Sequence, residues 1–160
     1  MSKERLSLLA GRHKAPLTSE DVRRASNVFL GLEDGVNVRH DPTSVTAFRV
    51  TTDDAGNTYG EIVFGADIYP GTSVADPNSA LSLEGAAAHE LTHFHRWSDK
   101  SAISDETLEH VDEALTSLQA ILRYDHKLSR TDIRGLVSDA TQRLRLYVNQ
   151  LKSIGATEKE

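Results

Sequence analysis

His89-Glu90-Leu91-Thr92-His93 sets two imidazoles and a carboxylate within one short stretch of the chain. If that stretch is helical, residues four apart lie about 40° from each other around the axis, so both imidazoles can reach one ion. Glu90 then sits about 60° beyond His93, beside such an ion rather than on it. A carboxylate in that position can take a proton from a water activated by the metal, which is general-base hydrolytic chemistry. His95 lies about 200° around the helix from His93 and cannot share the ion. It is expected to be exposed or to make a structural hydrogen bond.

The flanks carry helix signals. Ser82 can cap, Glu84 falls in the first turn, and Gly85-Ala86-Ala87-Ala88 enters the motif without a β-branched residue. Leu83, Ala87, Leu91 and Phe94 recur at helical spacing and form the expected buried stripe. Ala86, His89, Glu90, His93 and Trp97 occupy the neighbouring face. A catalytic zinc needs three protein ligands and an open position. The extended pattern H-E-x-x-H-x-x-G-x-x-H is absent, since position 96 is Arg and position 99 is Asp, and so is an inverted H-x-x-E-H. The third ligand is therefore expected from a separate downstream element. Ser104 to Leu122 reads as that element, a helix capped by Ser104 with a buried stripe of Leu108, Val111, Leu115, Leu118 and Leu122. Off the stripe lie Glu109, His110, Asp112 and Glu113, each a possible ligand and each equally suited to a solvated acidic face.

The motif resembles that of the zincin metallopeptidases, in which the two histidines bind zinc and the glutamate is the base. The position of Glu113, 20 residues after His93 and followed by Ala114, resembles the gluzincins, the thermolysin-like branch with a His-His-Glu site. That resemblance implies His89, His93 and Glu113 as ligands of Zn2+ and Glu90 as the catalytic base. Asp112 and Glu109 stay open as alternatives to Glu113. Gluzincins often place an aspartate four residues after the glutamate to hold the first histidine. Here that position is Ser117, which can still accept an imidazole N–H but is a weaker partner. The resemblance covers roughly Leu83 to Leu122, about a quarter of the chain.

Other elements must position this site. Thr18 opens a helix through Leu32, with Asp21 completing a capping-box variant and Val22, Ala25, Phe29 and Leu32 facing inward. Val45 to Thr51 reads as a strand, Asp53 to Asn57 as a turn, and Tyr59 to Phe64 as the antiparallel partner. Ala66 to Tyr69 is expected to continue the sheet after a bulge at Gly65. Pro70 to Asn78 is read as a loop. A last helix runs from Asp132 to about Ile154, with Ile133, Val137, Ala140, Leu144, Val148 and Leu151 as its core or partner stripe. Thr157 to Glu160 should fray. The expected fold is α+β, one domain over 1–160. It is a minimal zincin-like domain with a small antiparallel sheet packed on the motif helix, followed by two further helices. In that scaffold an edge strand, here within Tyr59 to Tyr69, would take an extended peptide by strand addition.

Composition bounds the function. Of 160 residues, 38% are hydrophobic and 26% charged, as in an ordinary globular protein. The net charge of −6 and the lack of a Lys/Arg cluster argue against nucleic acid. Without cysteine, disulfides and thiolate ligands are excluded. The Leu6–Ala10 run is too short for a secretory core, and no stretch would span a membrane, so a cytoplasmic setting is expected. The expected activity is zinc-dependent peptide-bond hydrolysis, endopeptidase rather than exopeptidase, on a specific intracellular protein or peptide substrate. A regulatory protein partner would restrain it. His110, Tyr69, Tyr124 and His126 are available as a second donor to the oxyanion. The competing expectation is a catalytically weak zincin-fold module that binds metal and a regulatory partner.

Overall fold

The structure, a computed structural model, describes residues 12–71 and 81–158. The Leu6–Ala10 run, most of the loop expected from Pro70 to Asn78, and the last two residues lie outside the described residues. Among the described residues the first helix, α1 (Ser19–Leu32), starts at Thr18 through the expected capping box. Its Oγ1 accepts the Asp21 N–H at 3.1 Å while the Asp21 carboxylate accepts the Thr18 N–H at 3.2 Å. Ala25, Phe29 and Leu32 are the buried face.

Three strands follow: β1 (Asn37–His40), β2 (Ala47–Thr52) and β3 (Thr58–Phe64), in the spatial order β1-β3-β2. β2 and β3 form the expected antiparallel hairpin, with Ala47 opposite Val63 and Thr52 opposite Thr58. β1 runs parallel to β3, so the sheet is mixed rather than purely antiparallel. β1 escapes sequence reading because Asn-Val-Arg-His has a single apolar residue and is only partly buried. β3 is central and supplies the buried Ile62, Val63 and Phe64. Ala66 to Tyr69 does not extend the sheet: Ala66–Ile68 is a 3-10 turn, anchored where the Asp67 carboxylate accepts the Thr46 N–H at 2.9 Å and its hydroxyl at 2.7 Å.

Three more helices complete an α+β domain: α2 (Leu83–Ser98), α3 (Glu109–Tyr124) and the long α4 (Arg130–Glu158). Ser82 caps α2, its Oγ accepting the Gly85 N–H at 3.0 Å. The buried face of α2 includes Leu83, Ala87 and Leu91, as expected, with Phe94 half-buried. Phe94 and Trp97 pack with Phe48 of β2 at ring-centre distances of 6.2 and 5.7 Å, tying the motif helix to the sheet.

The inward faces of α3 and α4 differ from the expected stripes. Asp105 rather than Ser104 opens the segment, capping a 3-10 turn at Glu106–Leu108 before α3 begins. α3 buries His110, Ala114, Thr116, Ser117, Ala120 and Tyr124, whereas Leu118 is 40% exposed and Leu122 79% exposed. α4 turns Asp132, Leu136, Asp139 and Ala140 inward and leaves Val137, Leu144, Val148 and Leu151 exposed. The apolar period therefore misplaces both helices by roughly a quarter turn or more. Small residues decide the packing instead. Ala87 and Ala88 on α2, and Ala114, Ser117 and Ala120 on α3, are all buried. Among the described residues no helix is long and apolar enough to cross a membrane.

Two glycines test this packing. A Cβ on Gly60 would meet ring atoms of Phe48 and Trp97 at 2.8 and 2.9 Å, whereas one on Gly65 would lie 2.0 Å from the Ser44 carbonyl oxygen. Rings can shift and a paired backbone cannot. Gly60→Ala should cost about 1–3 kcal/mol and Gly65→Ala clearly more. Thermal melts of the two variants check that order.

Candidate metal centre

α2 presents His89, Glu90 and His93, and α3 presents Glu113 across from them. Glu113 Oε2 lies 2.9 Å from His89 Nε2 and 3.1 Å from His93 Nε2. The two imidazoles are mutually edge-on, with ring centres 4.7 Å apart. One ligand atom from each of the three residues falls within 4.8 Å of the others, a group that could hold a metal ion. Nitrogen, nitrogen and carboxylate oxygen is the donor set that suits zinc with one position left open.

The alternatives to Glu113 are engaged elsewhere. Asp112 pairs with the buried Arg96 and accepts the Ile103 N–H at 2.9 Å, which fixes the loop between α2 and α3. Glu109 is exposed at the start of α3. His95 makes the expected structural bond, 2.5 Å from Glu33 Oε2. Glu33 also accepts the Tyr124 hydroxyl at 3.2 Å.

Two residues of the site come from α4 and were not signalled by the motif. His89 Nδ1 lies 2.8 Å from Ser117 Oγ, and the Ser117 hydroxyl is 2.5 Å from Asp139 Oδ2. Arg143 Nε donates to the same Asp139 oxygen at 2.9 Å, and its Nη1 lies 3.4 Å from Glu113 Oε2. Ser117 thus occupies the support position anticipated for it, with a buried carboxylate behind it. The available signal was polar: Asp132, Asp139 and Arg143 recur on one side of α4, where an apolar stripe would be sought.

A cleft of about 150 Å3 opens beside the three ligand residues and is lined by Thr46, Phe48, Ile68, Glu90, Arg143 and others. Glu90 Oε2 is buried there without a hydrogen-bond partner among the described residues. None of the four expected oxyanion donors lines the cleft. The Tyr69 hydroxyl donates to the Asp21 carbonyl at 2.6 Å, Tyr124 is held by Glu33, His110 is buried in α3, and His126 is exposed. Arg143 does line it. The strand expected to offer an edge there, Tyr59 to Phe64, is the central β3 with neighbours on both sides. The edge strand at the cleft is β2, through Ala47 and Phe48.

Burial opposes every charge in this cluster, and the charges hold one another. Burial would lower the His93 pKa, but the Glu113 charge and hydrogen bond, aided by Glu90, raise it from 6.5 to about 9. Burial would raise that of Glu113, yet His93 and Arg143 hold it well below the usual carboxylate range. Burial likewise works against the Arg143 charge, and Glu113 and Asp139 more than restore it.

No protein-family model, curated protein or solved structure matches the chain. The functional reading accordingly rests on the residues and their geometry.

Two outcomes follow from the cluster. Glu113→Ala should weaken zinc binding by about a hundredfold or more, beyond the loss typical of a supporting residue, while Glu109→Ala leaves it unchanged. Competition with a chromophoric chelator measures both. In the metal-free protein the His93 charge contributes its stability in full below about pH 6.5 and loses it as the pH rises through about 9. A metal requires the neutral ring, so near neutral pH zinc should displace about one proton and bind more tightly as pH rises toward 9. Calorimetry in buffers of different ionisation enthalpy reads that proton.

Proposed function

We propose that this chain is a zinc-dependent peptidase, gluzincin-like in its ligands, that hydrolyses a peptide bond in a specific intracellular protein. The observation that carries the reading is the convergence of His89, His93 and Glu113 within 4.8 Å. Glu90 supports it, because a buried carboxylate oxygen without a partner is costly and calls for a proton donor from the cleft. The bound ion would supply Lewis acidity to a water and to the scissile carbonyl.

The chain's own groups supply the remaining chemistry. Glu90 accepts the proton of the attacking water and returns it to the leaving amine. Arg143 keeps a fixed positive charge on the cleft wall and stabilises the carbonyl oxygen as negative charge develops on it. An extended substrate lies along β2, whose free edge borders the cleft. The cleft volume, about 150 Å3, equals that of a cavity holding one benzene-sized group, which favours narrow specificity over general digestion. A docked regulatory partner is a compatible means of restraint.

The test is Glu90→Gln. This variant should keep its zinc and lose cleavage of the physiological protein substrate by at least the roughly 100- to 10,000-fold of a general base. The unaltered chain should leave casein largely intact. Vigorous digestion of casein would overturn the specificity, and undiminished cleavage by Glu90→Gln would overturn the mechanism. A zinc-loaded wild type that cuts no protein would point to the metal-binding regulatory module instead.

A further inference from the structure

Asp139 is wholly buried, touches neither cleft nor ligand set, and lies 26 residues beyond Glu113 in sequence on a different helix. Its bonds nevertheless have a direction. Oδ2 receives the Arg143 Nε–H at 2.9 Å, which marks it as an acceptor, so the Ser117 hydroxyl at 2.5 Å must donate to it. Serine has one proton to give. Having spent it on Asp139, Ser117 Oγ can only accept from His89 Nδ1, 2.8 Å away. His89 therefore carries its proton on Nδ1 and turns Nε2 toward Glu113 Oε2 at 2.9 Å. In the neutral ring these facing atoms are both acceptors, an arrangement that either a proton or a metal cation between them reconciles.

We infer that Asp139 is a positioning residue for the metal centre, acting through Ser117 to hold His89 in the tautomer whose Nε2 lone pair faces His93 and Glu113. The inference rests on the metal reading proposed above and adds to it a carboxylate–hydroxyl–imidazole relay reaching in from α4. A direct carboxylate is the simpler way to orient a metal-binding histidine. Here the serine supplies the reach and the aspartate supplies the direction. Arg143 completes the device by bonding Asp139 with one nitrogen while its Nη1 stays beside Glu113, so both α2 and α3 ligands are referenced to α4.

The test uses the full chain and zinc competition against a chelator. Asp139→Asn and Ser117→Ala should each lower zinc affinity about 10- to 100-fold, and the double variant should lower it no further, because a relay fails as a unit. Ser117→Asp combined with Asp139→Asn places a carboxylate next to His89 and should restore most of the affinity. Histidine 15N shifts in the metal-free protein should show Nδ1–H on His89 in the wild type and a mixture of tautomers in Asp139→Asn. Unchanged affinity in a folded Asp139→Asn variant would overturn the inference. So would losses that add in the double variant, which mark a merely structural role. If the unaltered chain binds no zinc, the metal reading fails by itself, and the tautomer measurement still decides what Asp139 does. If the Ser117→Asp combination does not fold, the cycle of Asp139→Asn and Ser117→Ala decides between relay and structural role.

Discussion

A carboxylate taken out of water between packed helices must be met by positive charge, by hydrogen bonds or by a metal. Glu113, half-buried at the edge of the cleft, comes under the same requirement, and the arrangement around it follows. His89 and His93 approach it from α2, and Arg143 approaches from α4. Arg143 in turn is half-buried and pairs with Asp139, which also receives Ser117. Removing any member leaves another charge without compensation in a low-dielectric setting. The polar cluster is thus held by mutual necessity, in a place where an apolar core would pack with less at stake.

Close approach makes this possible. Where α2 meets α3, His89 reaches Ser117 at 2.8 Å and Glu113 at 2.9 Å, and both helices bury small residues, Ala87 and Ala88 on one and Ala114, Ser117 and Ala120 on the other. The aromatic contact of Phe94 and Trp97 with Phe48 then sets the orientation of the motif helix against β2, and with it the position of the cleft. Arg12 closes the same side. Its guanidinium donates to the backbone carbonyls of Asp67, Ile68 and Leu81, holding together the two ends of the segment that leads into α2.

The site was more legible in the sequence than the fold around it. The H-E-x-x-H spacing and the Glu113 separation depend on local helix geometry and on one helix-to-helix distance, and the structure brings His89, His93 and Glu113 together. The Thr18 capping box and the β2–β3 hairpin were legible for the same reason, since their determinants lie within a few residues. β1 was not, because its pairing is with a strand some twenty residues away and its own sequence is polar. The faces of α3 and α4 were misjudged because apolar periodicity assumes that the buried side is greasy. Here the buried side carries Ser117, Asp132 and Asp139, with Arg143 half-buried beside them, and leucines such as Leu122 look outward. Buried polar partners stand at the very positions where the hydrophobic signal would have been informative.

α4 gives the molecule an order in time. His89, Glu90, His93 and Glu113 are all synthesised before the chain reaches Asp139 and Arg143, the groups that hold His89 through Ser117 and neutralise Glu113. A chain emerging from the ribosome, or one cut short within α4 before Asp139, carries every candidate ligand and still lacks the two groups that hold them. The cluster is complete only once α4 has been made as far as Arg143.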